Sequence, residues 1–542
     1  MNPATARRIP ALRWLLERLG ALPQRTGLIL VSSILAIALA ADVFLGLSAG
    51  LAEPTYDAMV RARLWAPPPD PRIVIVDIDE ASLEQMAPEF GRWPWSRDTL
   101  ATVLQHIESQ HPAAIVWDIA VTDADRNSPG GDAALDRAAR ASPNSHFPVI
   151  RLPAAGDGAS VVTRAHLPRL WADGGGGQGL AVVPPVLQSL RQARLGFNNV
   201  TPDADGIIRR YREFDAHGGG ILKSMAMSVA EAVAPQAYAT ALARVKRGGP
   251  QAGLIVWPAT GDRYPLLPFW QVFQQAEEGG PTSAFAGRIV VIGSTAPSLH
   301  DVHPTPQSPH APGVATLARA IDNAVHARFV HELTGAAKFA IALGVCLLLV
   351  LVAHRRSVAS LEPWLFLLPG LLLALSYASL HTGWIFLDLQ LAATWSLLLM
   401  AALRLWNGLR RSHWCALPQS TQGDLQLWPS RRAAAWDDRS VDGLIEALQA
   451  HAPAARLVVH EQHDRWPTRA NWPEFSRLVA IVGARDDLET AREPLDAALR
   501  SMGATPGEPV ALGAGATRES VVLACLHGWA RLEPALEDAA RV

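Results

Sequence analysis

Cysteine is nearly absent: the 542 residues contain three, Cys346, Cys415 and Cys525, far apart and without metal-ligand spacing. None lies between residues 48 and 334, so that stretch folds without disulfides even in an oxidising compartment, and its core has to supply the stability. Charge is scarce as well. Asp, Glu, Lys and Arg make up 18% of the chain against 49% hydrophobic residues, a balance that places part of it in a bilayer. The formal net charge is -2 and no dense Lys/Arg block occurs, which argues against a nucleic-acid partner. Catalytic signatures are missing too. There is no nucleophile-elbow sequence and no His-Glu-x-x-His zinc motif, so neither a cofactor nor catalysis outside the membrane is expected.

What the chain does have is four apolar runs, Thr26–Leu47, Gly335–Ala353, Leu361–Leu380 and Trp384–Leu405. Each is close to the roughly 20 residues that a helix needs to cross the hydrocarbon layer. Their short flanks set the orientation, because Arg and Lys stay on the cytoplasmic side. Arg7, Arg8, Arg13, Arg18 and Arg25 precede the first run, Arg355 and Arg356 separate the second from the third, and Arg404, Arg410 and Arg411 mark the end of the fourth. The turn His381-Thr382-Gly383 carries neither Arg nor Lys. The predicted order is a basic cytoplasmic N-terminus (1–25), a span (26–47), an outer domain (48–334), three spans (335–353, 361–380, 384–405) and a small cytoplasmic α/β domain (412–542). Ala38-Leu39-Ala40 offers a signal-peptide cleavage pattern in the first run, but the long basic leader and full membrane length fit an anchor better.

The outer domain opens with Arg72-Ile73-Val74-Ile75-Val76, leading into Asp77-Ile78-Asp79-Glu80. A continuous β-branched run suits a parallel strand covered on both faces. Ser96–Gln110 reads as a helix capped by Ser96, and Ala113–Asp118 as a second strand, together a βαβ unit. Arg288–Gly293 is a third such strand, followed by a loop holding Asp301 and a helix over Val314–His331. Gly174–Gly177 reads as a loop, and Asp203-Ala204-Asp205-Gly206 as a turn before a strand over Ile207–Phe214.

These residues carry a resemblance. Tyr56-Asp57 with Arg61, Asp70-Pro71-Arg72, Asp77-Ile78-Asp79-Glu80, Trp93-Pro94-Trp95 with Arg97, Ala114–Asp118, and Gly196-Phe197-Asn198 come first. Asp203–Gly206 with Arg209-Arg210, Phe285–Gly293 and Pro312-Gly313-Val314 complete the series. In this order, over about residues 50–333, they resemble the CHASE sensory domain of the second type, found in bacterial cyclases and histidine kinases. The resemblance implies a sensor in the inner (cell) membrane, with both termini cytoplasmic, residues 48–334 periplasmic, an unidentified extracytoplasmic ligand, and a homodimer. One departure stands out: where the family pattern usually continues with Glu and His, this chain has Ala315-Thr316-Leu317. The expected fold class is therefore an α/β extracytoplasmic sensor domain, four transmembrane α-helices and a small cytoplasmic α/β domain.

Asp77, Asp79, Glu80, Asp118 and Asp301 all follow buried strands, and open α/β sheets bind ligands beyond the carboxyl ends of their strands. With Arg97 they form the candidate ligand site; grouped carboxylates suit a cation, although the metal is unknown. The ordinary reading is that they cap helices and finish turns, with Asp77 or Asp118 bridged to Arg97. His300, His303 and His310 read as a solvated loop, and Trp93 and Trp95 as core.

The tail lacks the kinase His-Arg-Asp and Asp-Phe-Gly motifs, a diguanylate-cyclase loop and a phosphate-binding Gly-x-x-x-x-Gly-Lys-Ser/Thr. Helices are expected over 440–450, 487–502 and 517–532, and strands over 456–460, 477–483 and 509–512. Gly513–Thr517 reads as a plain loop, and His460, Glu461, His463 and Asp464 as another. The chain is accordingly expected to be no enzyme. It reads first as a transducer whose tail engages a cytoplasmic effector, second as a structural subunit of an envelope complex, with an unfamiliar enzymatic tail as a minor third alternative.

Overall fold

The computed structural model describes residues 10–126, 128–173, 179–217, 220–258, 263–279, 283–383, 385–415, 424–459, 476–512, 524 and 527–528. It forms two compact units: Ala49–Thr334 with Leu375–Asp388, and Met1–Ser48 with Gly335–Ala374 and Leu389–Val542.

The first unit opens with helix α1 (Ala49–Arg61) and is built around a parallel sheet. In chain order the strands and helices are β1 (Ile73–Asp77), α2 (Glu80–Phe90), α3 (Arg97–Glu108), β2 (Ala114–Trp117), α4 (Gly131–Ala141), β3 (Ser145–Arg151), β4 (Arg194–Phe197), α5 (Met225–Val233), α6 (Pro235–Lys246), β5 (Leu266–Pro268), α7 (Phe269–Glu278), β6 (Ile289–Gly293) and α8 (Gly313–Val325). The spatial order is β5-β1-β6-β2-β3-β4, all parallel, and Val182–Val183 adds an antiparallel edge to β3. The β-branched runs are buried on both faces for the expected reason. Val74, Val76, Ile115, Trp117, Val290 and Ile292 meet α3, α4 and α7, while Ile73, Ile75, Val116, Ile289 and Val291 meet α5 and α8.

Several local expectations change. β1 and β2 are not neighbours, because β6, some 170 residues further along the chain, inserts between them: Ile73 pairs with Ile289, which pairs with Ala114. The strand expected over 207–214 divides into Arg210–Arg212 and Phe214–His217, with different partners on either side of the buried Glu213. α8 stops at Val325; Ala327 takes a left-handed φ of 51°, and the chain continues as β7 (His331–Glu332). Ser96 stands at the N-cap of α3 but bonds the Thr99 hydroxyl, and the Arg97 backbone N–H donates to Asp125 at 2.7 Å instead.

Many of the recurring polar motifs turn out to be structural ion pairs. The Arg209 guanidinium, almost wholly buried, donates Nε and Nη2 to Asp57 on α1 (both 2.8 Å), Nη2 to Asp205 (2.6 Å) and Nη1 to Asp203 (3.1 Å). Arg210 joins Asp203 to Glu332 at 2.7 and 2.6 Å. On α8, Asp322 collects the Asp70 backbone N–H, the Tyr264 hydroxyl, Arg319 and Arg328. Buried charges need this degree of pairing, since desolvating each one is costly.

β7 also pairs in parallel with β8 (Ile385–Phe386), and the Phe386 ring meets Tyr56 edge-on at 5.4 Å. The Tyr377 hydroxyl donates to Ala62 O and Arg63 Nη2 to Leu380 O, both at 2.7 Å. The hairpin joining the third apolar helix to the fourth is thus part of the first unit. This overturns one boundary: the run Trp384–Leu405 is not one helix, because its start is drawn into the sheet pairing, and Trp384 lies outside the described residues.

Three helices among the described residues are long and apolar enough to cross a membrane: Gln24–Leu45 and Gly335–Arg355 in the second unit, and Val358–Ser379, which runs from the second unit into the first at Leu375. Their outward side chains, Ile29, Ile37, Phe44, Leu348 and Phe366 among them, stay exposed, as lipid-facing residues would. The fourth helix, Gln390–Trp414, carries Arg404, Arg410 and Arg411 and is not one of the three. It packs tightly on the first: a Cβ on Gly27 would stand 2.0 Å from the Trp406 ring, and Trp395 Nε1 donates to the buried Asp42 at 2.7 Å.

The end of the Gln390–Trp414 helix enters a small antiparallel sheet domain. Trp414 belongs to that domain's core, and the buried Arg410 donates to Asp442 at 2.9 Å. The domain comprises β9 (Leu425–Arg432), α9 (Asp438–His451), β10 (Arg456–Val459), β11 (Leu478–Ala484), β12 (Ala504–Pro506) and β13 (Val510–Leu512), ordered β10-β11-β9 with β12 and β13 on the far side of β9. The central β9 was not foreseen, and the helix expected over 487–502 is broken into Arg485–Thr490 and Arg492–Ser501. Gly174–Gly177, the His460–Asp464 group, Gly513–Thr517, Cys525 and most of the 517–532 helix lie outside the described residues.

Candidate functional site at the carboxyl edge of the sheet

The parallel strands end together at one edge, and there the chain leaves β2 toward α4 on one face and leaves β6 toward α8 on the other. Such a divergence opens the crevice in which doubly wound folds hold ligands. Three of the six candidate residues, Asp77, Asp79 and Glu80, have their carboxylates taken up by local or cross-strand hydrogen bonds. Asp77 closes β1, and its two oxygens accept from Thr295 N at 2.8 Å and Thr295 Oγ1 at 2.6 Å. Burial pushes its carboxyl up from the ordinary value, and the two Thr295 bonds pull it back. Asp79 caps α2 through Ser82 N at 2.7 Å. Glu80, on the surface, accepts from Ser298 N at 2.8 Å, and that bond holds its carboxyl below the usual range. Arg97 makes no ion pair with Asp77 or Asp118; its side-chain Nε is buried without a hydrogen-bond partner.

Asp118 and Asp301 differ from these. Asp118, just past β2, accepts one bond, from Asn198 Nδ2 at 2.5 Å. Burial first, and the charge of Asp301 second, push its carboxyl up to about 7. Asp301 stands over the start of α8. Its backbone oxygen accepts from Gly313 N at 2.9 Å, and a Cβ on Gly313 would meet its carboxylate at 2.3 Å, so only glycine fits beneath it. His303 Nε2 lies 3.2 Å from Asp301, while His300 takes a left-handed φ of 56° that turns the loop. A carboxylate at a helix N-terminus is favoured by the peptide dipoles there. The edge therefore offers a carboxylate over a helix start, a second one that titrates near neutrality, an amide and an imidazole. That set can exchange a proton or accept hydrogen bonds from a cationic or hydroxylated ligand. Among the described residues, no group of three His, Cys, Asp or Glu side chains is placed to share a metal ion.

Neither Asn198 nor Thr295 carries an expected role from the sequence, although Asn198 stands in the Gly196-Phe197-Asn198 motif. Asn198 gets its place because Gly196 lets β4 press against α5, where a Cβ would stand 2.4 Å from Met225 Cα. Trp95 is core, stacked on Phe269 at 5.1 Å, with Trp93 edge-on to it. The stitch between β1 and β6 is testable: Thr295→Val should cost about 1 kcal/mol, one hydrogen bond to a buried carboxylate, in chemical denaturation of the purified protein. An unchanged midpoint would mean that the Thr295 hydroxyl adds nothing beyond its backbone N–H.

Residues 30–353 match the family model of the CHASE2 domain. No curated protein and no solved structure matches the chain. The matched span takes in more than half of the sequence, including the whole parallel sheet and its carboxyl edge, so the chain belongs to the CHASE2 domain family, whose domain is a sensory module.

Proposed function

We propose that the protein is a multi-pass sensor of the bacterial inner membrane. Its CHASE2 domain is periplasmic, the carboxyl edge around Asp118 and Asp301 receives the signal, and a non-catalytic cytoplasmic domain passes the signal to a partner. The observation that carries this reading is the β7–β8 pairing, which builds the hairpin between the third and fourth helices into the sensory unit. A rearrangement of the domain then has a direct path to the helix that ends in the C-terminal core at Trp414. Four crossings are supported in the same way. Thr334 and Leu380 both belong to the outer unit, so the two apolar helices between them leave it and return, and the fourth leaves it again. Coupling further requires that the ligand bind two arrangements of the domain unequally.

Reporter fusions after Ser357 and Arg411 should both score cytoplasmic; an external score at either would break this topology. Affinity purification of the intact chain, compared with a version ending at Arg411, tests the output. A soluble effector lost on truncation is the expected result. Retention of a stoichiometric set of envelope proteins by both versions would instead make the chain a structural subunit.

A further inference from the structure

Residues Leu64 and Trp65 follow α1 in the outer unit and are both large, apolar and exposed, at 72% and 62%. The chain around them is fastened to the end of the third apolar helix. The Tyr377 hydroxyl donates to Ala62 O and Arg63 Nη2 to Leu380 O, both at 2.7 Å, and the Trp65 ring packs on His381 with centroids 4.4 Å apart. Val358–Ser379 is apolar and long enough to cross a bilayer, so its end at Ser379 marks a membrane–water boundary. Whatever is hydrogen-bonded to that end lies at the same depth.

We propose that Leu64 and Trp65 form a wedge seated in the headgroup layer of the bilayer, through which the sensory domain rests on phospholipid at the end of the third apolar helix. Three features of the segment suit that depth. Tryptophan with an apolar body and one N–H donor prefers the interface. The Arg63 guanidinium, bonded to Leu380 O, holds the segment against the end of the third helix. Leu64 has no polar side-chain group to satisfy and gains by leaving water. The occupant is the lipid surface because the wedge is continuous with a helix already assigned to it.

The inference rests on the membrane placement of the third helix, and the test separates the two. In the full chain with Cys346, Cys415 and Cys525 replaced by serine, a nitroxide is attached at Leu64→Cys, Trp65→Cys, Leu367→Cys or Val161→Cys. The protein is reconstituted into phosphatidylcholine–phosphatidylglycerol nanodiscs, and collisions with oxygen and with a water-soluble nickel chelate are compared. Leu367, 58% exposed on the third helix, reports the bilayer, and Val161, 85% exposed, reports water. Labels at 64 and 65 should show several-fold lower nickel accessibility than the label at 161, with oxygen accessibility retained. The Leu64 label decides the matter, since Trp65 also packs on His381 and its loss could loosen the loop. Nickel accessibility at 64 equal to that at 161, with 367 in lipid, would overturn the wedge alone. Water at 367 as well would overturn the membrane reading with it. Shielding of 64 from both reagents would point to a protein cover and likewise reject the lipid contact.

Discussion

Arg209→Met is expected to cost the outer domain about 3–5 kcal/mol, the range for breaking a buried charge network from one side. The guanidinium is the shared cation of Asp57, Asp203 and Asp205, with Glu53 at 3.7 Å, and without it these acidic groups confront one another. Glu53 already shows the tension, its carboxyl raised first by burial and then by Asp205. Lysine is not a substitute, because one ammonium cannot fork onto Asp57 while reaching the turn. Thermal melts of the detergent-solubilised chain should register a large drop for both Arg209→Met and Arg209→Lys. Restoring part of the loss with Asp205→Asn in the Arg209→Met background would identify uncompensated charge as the cause. A loss below about 1 kcal/mol would mean that the network is solvated and contributes as a surface pair does.

The second large effect is a pH dependence at Asp118. In the unfolded chain its carboxyl ionises near 3.8, whereas in the folded domain it holds its proton up to about 7. A carboxyl raised on folding leaves the native state binding more protons, so the contribution of Asp118 to stability is highest below pH 4, falls as pH rises through the interval, and levels off above pH 7. For this partly exposed side chain the penalty at pH 8 is about 2 kcal/mol once solvent screening is allowed for. Asp118→Asn keeps an acceptor for Asn198 and removes the ionisation. It should therefore stabilise the protein at pH 8 and do almost nothing at pH 4. An equal gain at both values would trace the effect to packing. Because Asp301 contributes to the raised value, Asp301→Asn should narrow the pH window of the wild-type response.

The Asp118 behaviour also explains why the site was only half legible in the chain. That acidic residues follow the strands is visible from their order alone, and five were named on that ground. Which of them are free is decided by partners that the sequence does not announce. Thr295 takes up both oxygens of Asp77, and Ser298 holds Glu80, each more than two hundred residues away. The anticipated bridge from Arg97 is absent because the start of α3 is anchored on Asp125.

The apolar pattern determined which segments are strands buried on both faces and which helices are long enough for a bilayer, and the lack of cysteine over residues 48–334 determined that this domain folds without disulfides. Those properties depend on neighbours within about twenty residues, and a local pattern records them. Only the tertiary structure decided that β6 lies between β1 and β2, that the paired arginines and aspartates are clamps rather than a binding site, and that Ile385–Phe386 joins the sensory sheet pairing instead of a membrane helix. Each of these is a pairing across long separations in the chain. Such pairings are selected by the free energy of satisfying buried hydrogen-bonding groups and charges all at once, and no single segment encodes that sum.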